Sequence, residues 1–217
     1  MITLEDYMEL EPFSLEISLK EPIIFSFLKN LTKHHNENCL EYNKLLKSLD
    51  LNINEINSIE KLPYLPVRLF KNLNLKSFDY SDLKTTLYSS GTTGQTSSKI
   101  YLDNITERNQ RKILVNIVKD FIGRERLPMI ILDCRSSVYT SRSTGITGFL
   151  PFGKENIFAL NEDMSLNLDI INMFLEKHKN KKILLFGSTY LIYSSFYKEL
   201  LRLNKKLDLS NHILIHG

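Results

Sequence analysis

Two cysteines in 217 residues, Cys39 and Cys134, are too few and too far apart for a disulfide framework, and neither sits in a C-x-x-C pair that would hold zinc. A reducing, cytoplasmic setting fits that scarcity. Charge of one sign is also lacking: 28 Lys and Arg stand against 25 Asp and Glu, interleaved, which argues against a nucleic-acid-binding surface. No apolar run approaches the roughly 18 residues of a membrane span. The start, Met1-Ile2-Thr3-Leu4-Glu5-Asp6, brings acids before any apolar stretch, unlike a secretory signal. His34 and His35 are adjacent and so do not make the i, i+4 pair of a zinc helix. Two nucleotide-loop patterns are missing as well. There is no G-x-G-x-x-G, and no G-x-x-x-x-G-K-[ST].

What is present is an ordinary globular composition, 42% hydrophobic and 24% charged, enough for one good-sized core or two small ones. Ile23, Ile24, Phe27, Leu28 and Leu31 recur at helical spacing, with Pro22 suited to the first turn, and Tyr42, Leu45, Leu46 and Leu49 mark a second helix. Pro63 and Pro66 then force an extended run. Further on, Asp103 or Asn104 caps a helix whose expected buried face is Ile113, Leu114, Ile117, Val118 and Phe121, with Gly123 as its stop. Residues 129–132, 183–186 and 212–215 are short apolar runs of the kind covered on both faces. Between them come a polar segment, 135–147, and helices around Ile170–Leu175 and Leu191–Leu203. Helices alternating with such strands predict an α/β fold, a largely parallel sheet with helices on both faces behind a helical N-terminal layer.

The chemistry concentrates in Tyr88-Ser89-Ser90-Gly91-Thr92-Thr93-Gly94-Gln95-Thr96-Ser97-Ser98-Lys99. Glycines let backbone N–H groups converge on one point, hydroxyls add rotatable donors, and lysine adds a positive charge, the requirements of a phosphate-holding loop. Strand-like Leu87-Tyr88 and Ile100-Tyr101-Leu102 flank it, giving strand–loop–strand. The bland alternative is a Ser/Thr/Gly linker. Candidate phosphate contacts are Ser89, Ser90, Gly91, Thr92, Thr93, Gly94 and Lys99. Arg142, in the second polar segment, is a further candidate for neutralising phosphate or carboxylate, against the bland reading of a solvated surface arginine. Asp133 follows a strand, where a carboxylate orients a loop, touches Mg²⁺ or simply caps a turn. Cys134 reads as a small buried hydrophobe before it reads as a nucleophile.

Ser90-Gly91-Thr92-Thr93-Gly94 with a following lysine resembles the phosphate loop of the adenylate-forming superfamily. Leu62-Pro63-Tyr64-Leu65-Pro66-Val67-Arg68-Leu69-Phe70-Lys71, Ser98-Lys99-Ile100-Tyr101-Leu102-Asp103, Arg126-Leu127-Pro128-Met129-Ile130-Ile131-Leu132-Asp133 and Ser141-Arg142-Ser143-Thr144-Gly145-Ile146-Thr147-Gly148-Phe149 narrow it to the LuxE acyl-protein synthetases, from about Glu41 onward. In the superfamily the loop lysine stands two positions nearer the second glycine, after a proline; here Gln95-Thr96-Ser97-Ser98 intervenes.

The resemblance implies the front part of the adenylate-forming large domain, with ATP and Mg²⁺ activating a fatty acid or other carboxylate for a protein thiol. An acyl-reductase subunit is the implied partner. It also implies an incomplete N-terminal part, residues 1–60 as helical lead-in and 61–217 as α/β core, since the family's acyl cysteine and ribose-binding acid lie further along. Alone, such a chain is expected to bind ATP weakly without turnover. A non-catalytic nucleotide- or partner-binding module and a coenzyme A ligase are the alternatives.

Overall fold

The computed structural model describes residues 2–89, 97–139 and 143–217. The chain divides into two compact units, Met1–Ile117 and Val118–Gly217.

The first unit begins with α1 (Leu4–Glu9), whose Thr3 and Asp6 form a reciprocal capping box. Helix α2 spans Ile17–Asn38 and α3 spans Leu40–Ser48. The sequence reading places Pro22 in the first turn, but α2 starts a turn and a half earlier. Leu19 and Lys20 N–H groups already bond the Glu16 carbonyl, so Pro22 lies inside the helix. The lost donor weakens one turn of a 22-residue helix without ending it. Helices α2 and α3 pack through Cys39, Tyr42 and Leu46, with Ile53, Leu65 and Leu75 around them. Lys29 Nζ donates to the Ile56 carbonyl at 2.6 Å and the Asn54 carbonyl at 3.2 Å, pinning the asparagine-rich turn against α2. A short α4 (Leu69–Asn72) follows the two prolines.

Strands β1 (Leu83–Tyr88) and β2 (Lys99–Asp103) then pair antiparallel, with Tyr88 opposite Lys99. They are the flanks expected of the phosphate loop. Helix α5 (Asn104–Ile122) leaves β2 directly, and Asp103 Oδ1 accepts from Thr106 N at 2.7 Å. Gly123 ends it at φ +85°, a conformation that favours glycine. The expected buried face of α5 needs correction. Only Val118 is buried; Ile113, Ile117 and Phe121 are exposed, Phe121 by 59%. The apolar spacing marks a helix correctly but does not say how much of the stripe is covered.

The Thr106 hydrogen bond, chiefly through its side chain, holds the Asp103 carboxyl below its usual range. A lowered folded pKa stabilises above the unfolded value of about 3.9 and loses that contribution as pH falls through the folded value. Asp103→Ala is therefore expected to cost about 1 kcal/mol near neutral pH. Thermal melts at pH 7 and pH 3 should show the gap from the parent protein shrinking in acid.

The second unit is built on a four-stranded sheet, β3 (Leu127–Ile131), β4 (Gly153–Phe158), β5 (Leu184–Gly187) and β6 (Ile213–His216), in the order β4-β3-β5-β6. Every pairing is parallel. The apolar runs at 129–132, 183–186 and 212–215 are strands within two residues of their expected ends. Met129, Ile130, Ile131, Ile183 and Leu184 are fully buried, as strands covered on two faces require. Strand β4 is the addition that the sequence pattern does not give, because Lys154, Glu155 and Asn156 break the apolar run of an edge strand.

Helix α6 (Ser143–Phe149) lies between β3 and β4, and α7 (Leu168–Lys177) between β4 and β5. From β5 to β6 the chain runs through α8 (Thr189–Leu191), a π-helical turn at Ile192–Tyr197 and α9 (Lys198–Arg202). The first connection steps one way along the sheet and the next two step the other way. Right-handed crossovers then put α6 on one face and the remaining helices on the opposite face. The packing agrees. Ile171 and Phe174 of α7 and Phe196 of the π turn share a cluster with Ile130, Leu132 and Leu185. On the other face Phe149 of α6 stacks on Phe186 at 4.3 Å.

Candidate active site

Residues 90–94, the core of the expected phosphate loop, and Arg142 lie outside the described residues. What the structure describes is the frame that closes the loop. Ser89 N donates to the Ser98 carbonyl at 3.1 Å, and Ser98 N donates to Ser89 Oγ at 2.9 Å, so the β1–β2 ladder continues to the loop's two ends. Ser89 thus uses its hydroxyl oxygen to fasten the base of the loop. Ser98 is 5% exposed, and its own hydroxyl has no hydrogen-bond partner among the described residues. Lys99 is the first residue of β2, opposite Tyr88. Two residues on, Tyr101 Oη donates to Asn74 Oδ1 at 2.8 Å, tying the outgoing strand to the segment after α4.

In the second unit the topology itself marks a crevice. The connection leaving β3 goes to β4 on one side, whereas the connection leaving β5 goes to β6 on the other. Ligands of open α/β sheets bind beyond the carboxyl ends of two strands that diverge in this way. Leu132 and Asp133 follow β3, and Gly187, Ser188 and Thr189 end β5 and begin α8. Gly187 is required where it is, since a Cβ there would stand 2.8 Å from Leu132 Cβ.

Asp133 is buried, and its Oδ1 accepts from Cys134 N at 2.8 Å and from the Ser137 hydroxyl. Its carbonyl accepts from Leu160 N at 3.2 Å, so one residue joins the exits of β3 and β4. Of the roles weighed for Asp133, the geometry gives the turn cap. Cys134 is buried with its Sγ 3.2 Å from Ser137 Oγ and 3.3 Å from Ser136 Oγ, in keeping with its reading as a small buried residue. At β5, Ser188 Oγ accepts from Leu191 N at 3.3 Å. Thr189 Oγ1 stands 2.9 Å from His216 Nδ1, and Thr189 N donates to the Gly217 carbonyl at 2.9 Å. The Ser188–Thr189 turn and its tie to His216 were not singled out from sequence. The only local signal is a Gly-Ser-Thr run closing an apolar strand.

The described residues contain no cluster of three or more His, Cys, Asp or Glu that could hold a metal ion. Among them, no helix is long and apolar enough to cross a membrane.

The family model described as "Acyl-protein synthetase, LuxE" matches residues 3–213. No curated protein sequence matches the chain. Among solved structures it is similar to the crystal structure of 2-hydroxyisobutyryl-CoA ligase in complex with 2-HIB-AMP and CoA in the thioesterification state, with a TM-score of 0.64 and 11% identity. The similarity covers 94% of this chain and 44% of the ligase, so the chain spans less than half of that enzyme's length. At that identity the likeness concerns the fold: an α/β core of the kind found in an adenylate-forming ligase.

Proposed function

The chain belongs to the LuxE acyl-protein synthetase family, and from that membership we propose that it activates a fatty acid or related carboxylate with ATP, as an acyl adenylate destined for a protein thiol. The family match, which runs through the glycine loop and both sheet segments, is the observation that carries this reading. The chemistry has two balanced steps. A carboxylate oxygen attacks the α-phosphorus of ATP and pyrophosphate leaves; a thiolate then attacks the acyl carbonyl carbon and AMP leaves. Both depend on positioning and on neutralising the departing charge.

In this reading the amides and hydroxyls of Ser90, Gly91, Thr92, Thr93 and Gly94 hold the phosphates, while Ser89, expected from sequence to join them, spends its amide and hydroxyl oxygen on Ser98 and anchors the loop's base. Lys99, with Arg142, compensates charge. The antiparallel hydrogen bonds between Ser89 and Ser98 support it, because they give such a loop a fixed base. Mg²⁺ fits this donor set as an ion carried mainly by the phosphates, since it commonly binds one or two carboxylates together with substrate phosphates rather than an all-protein cage. A cytoplasmic setting and an acyl-reductase subunit as recipient complete the proposal.

Hydroxylamine trapping tests it. With ATP, Mg²⁺, a panel of carboxylates and a form that includes the family's ribose-binding acid and acyl cysteine, the favoured acid should yield its hydroxamate, and its chain length would name the substrate. ATP cleavage that no carboxylate stimulates would contradict the proposal. Coenzyme A as acceptor is the second reading, favoured by the coenzyme A in the similar ligase structure. Separating protein-bound from coenzyme-bound thioester decides between the two acceptors.

A further inference from the structure

At the amino ends of the strands, the end of the sheet away from the β3–β5 crevice, lies a cavity of about 630 Å³. Arg126 precedes β3, Lys154 lies on β4, and Lys181 and Lys182 precede β5; all four line it. Lys177 Nζ bonds Glu155 Oε1 at 2.6 Å, which draws the Glu155 carboxyl below its usual range. That pair largely cancels itself. Lys154, Lys181 and Lys182 pair with no carboxylate among the described residues, and Glu125 is the remaining acid in the wall. The Arg126 guanidinium donates through Nη2 to the Gly153 carbonyl, which fixes its position over the β3–β4 entrance.

The second observation is His178. It lines the same cavity and its side chain is only 7% exposed, edge-on to Phe174 with ring centroids 4.6 Å apart. Nε2 stands 3.2 Å from Glu155 Oε2, a pairing that helps hold the Glu155 carboxyl below its usual range, so Nδ1 is the ring nitrogen left without a hydrogen-bond partner among the described residues. A buried ring nitrogen without a hydrogen bond is costly, of the order of 1–3 kcal/mol. Cations at a helix carboxyl end complement its dipole, which accounts for Lys177 and His178 on α7. It does not account for Arg126, just before β3, or Lys154, on β4, nor for the lack of a carboxylate partner at Lys181 and Lys182.

We propose that this cavity is a second ligand site, for a small molecule bearing a diphosphate or comparable clustered phosphoryl groups, with His178 as the buried donor and the arginine and three lysines as charge partners. Arginine and lysine converging on a concave site suit phosphate oxygens. The volume falls in the range of small-molecule pockets and is too small for a folded partner. The site is independent of the phosphate loop and of the adenylation chemistry.

Inorganic pyrophosphate is the probe, and the imidazole resonances of His178 are the readout, assigned by their loss in His178→Gln and by proximity to the Phe174 ring. Titration of the parent protein should move those resonances saturably. In Lys181→Glu/Lys182→Glu, which alters two exposed positions, the midpoint should rise at least about tenfold, as expected for losing two charge-assisted contacts. This double variant keeps the comparison open if His178→Gln does not fold. His178 resonances unmoved at saturating pyrophosphate, or an unchanged midpoint in the double variant, would overturn the assignment. So would a glutamate-rich peptide that moves them equally well at matched charge. Because the signal is read at His178, failure here is distinguishable from failure of the loop to take part in adenylation.

Discussion

In a form that includes the family's ribose-binding acid and acyl cysteine, replacing Gly91 by a bulky residue such as leucine should lower ATP–pyrophosphate exchange by about a hundredfold or more while leaving the unfolding transition cooperative. The loop is expected to bring backbone N–H groups against the phosphates, and a side chain at a glycine of such a loop holds the backbone away from them. Loss of preorganised donors to a developing charge costs about 10²–10³ in rate for a single donor in other enzymes. Gly94 should behave the same way. Lys99→Ala should cost less, because the four residues between Gly94 and Lys99 shift its charge from the place where the superfamily pattern sets it. Exchange and urea denaturation measured on the same preparations separate a chemical loss from a folding defect. Exchange at the parent rate in Gly91→Leu would remove the loop from the mechanism.

Asp133→Ala should produce the second large effect, this time on stability. The carboxylate is buried at the exit of β3 and accepts from both Cys134 N and the Ser137 hydroxyl. Alanine takes away the acceptor and leaves Cys134 N without it in a dry place, while Ser137 Oγ keeps its contact with Cys134 Sγ at 3.2 Å. A destabilisation of about 1–3 kcal/mol is expected, the cost of one buried group left unsatisfied. That is a large fraction of a typical total of 5–15 kcal/mol. Asp133→Asn keeps one acceptor oxygen and should lose about half as much. Urea denaturation of the three proteins checks the order. Asp133 acts here as a positioning residue, so its variants should shift the midpoint before they affect any chemical step. Equal stability of the alanine variant and the parent would show that the turn holds itself without the carboxylate.

The buried strands were legible because burial on both faces leaves only apolar side chains. Met129-Ile130-Ile131-Leu132 admits few other readings. Strand β4 was not, since Lys154, Glu155 and Asn156 at a sheet edge look like loop. Helix α5 was legible as a helix, with its Asp103 cap and Gly123 stop, yet its apolar stripe at Ile113, Ile117 and Phe121 stays exposed. Periodicity records that a stripe exists and carries nothing about what covers it.

The candidate site divides along the same line. The glycine loop announces itself because its chemistry is contiguous in sequence. The β3–β5 crevice depends on strand order, which no local pattern encodes, and the turn at Ser188–Thr189 gains its meaning only from that order. His178 and Glu155 come together across α7 and β4, 23 positions apart. The lysine-rich stretch around 177–182 was the only trace of their cavity, and in sequence it looks like a solvated helix end.

The central claim is that ATP and a carboxylate react on this protein with pyrophosphate as the leaving group. Carboxylate-dependent exchange of labelled pyrophosphate into ATP measures that reversal directly. In a form that includes the family's ribose-binding acid and acyl cysteine, the account predicts exchange that requires the acid and Mg²⁺, and that disappears in Gly91→Leu. Saturable ATP binding with no exchange for any acid in the panel would contradict it, and would leave a nucleotide-binding module where a synthetase is proposed.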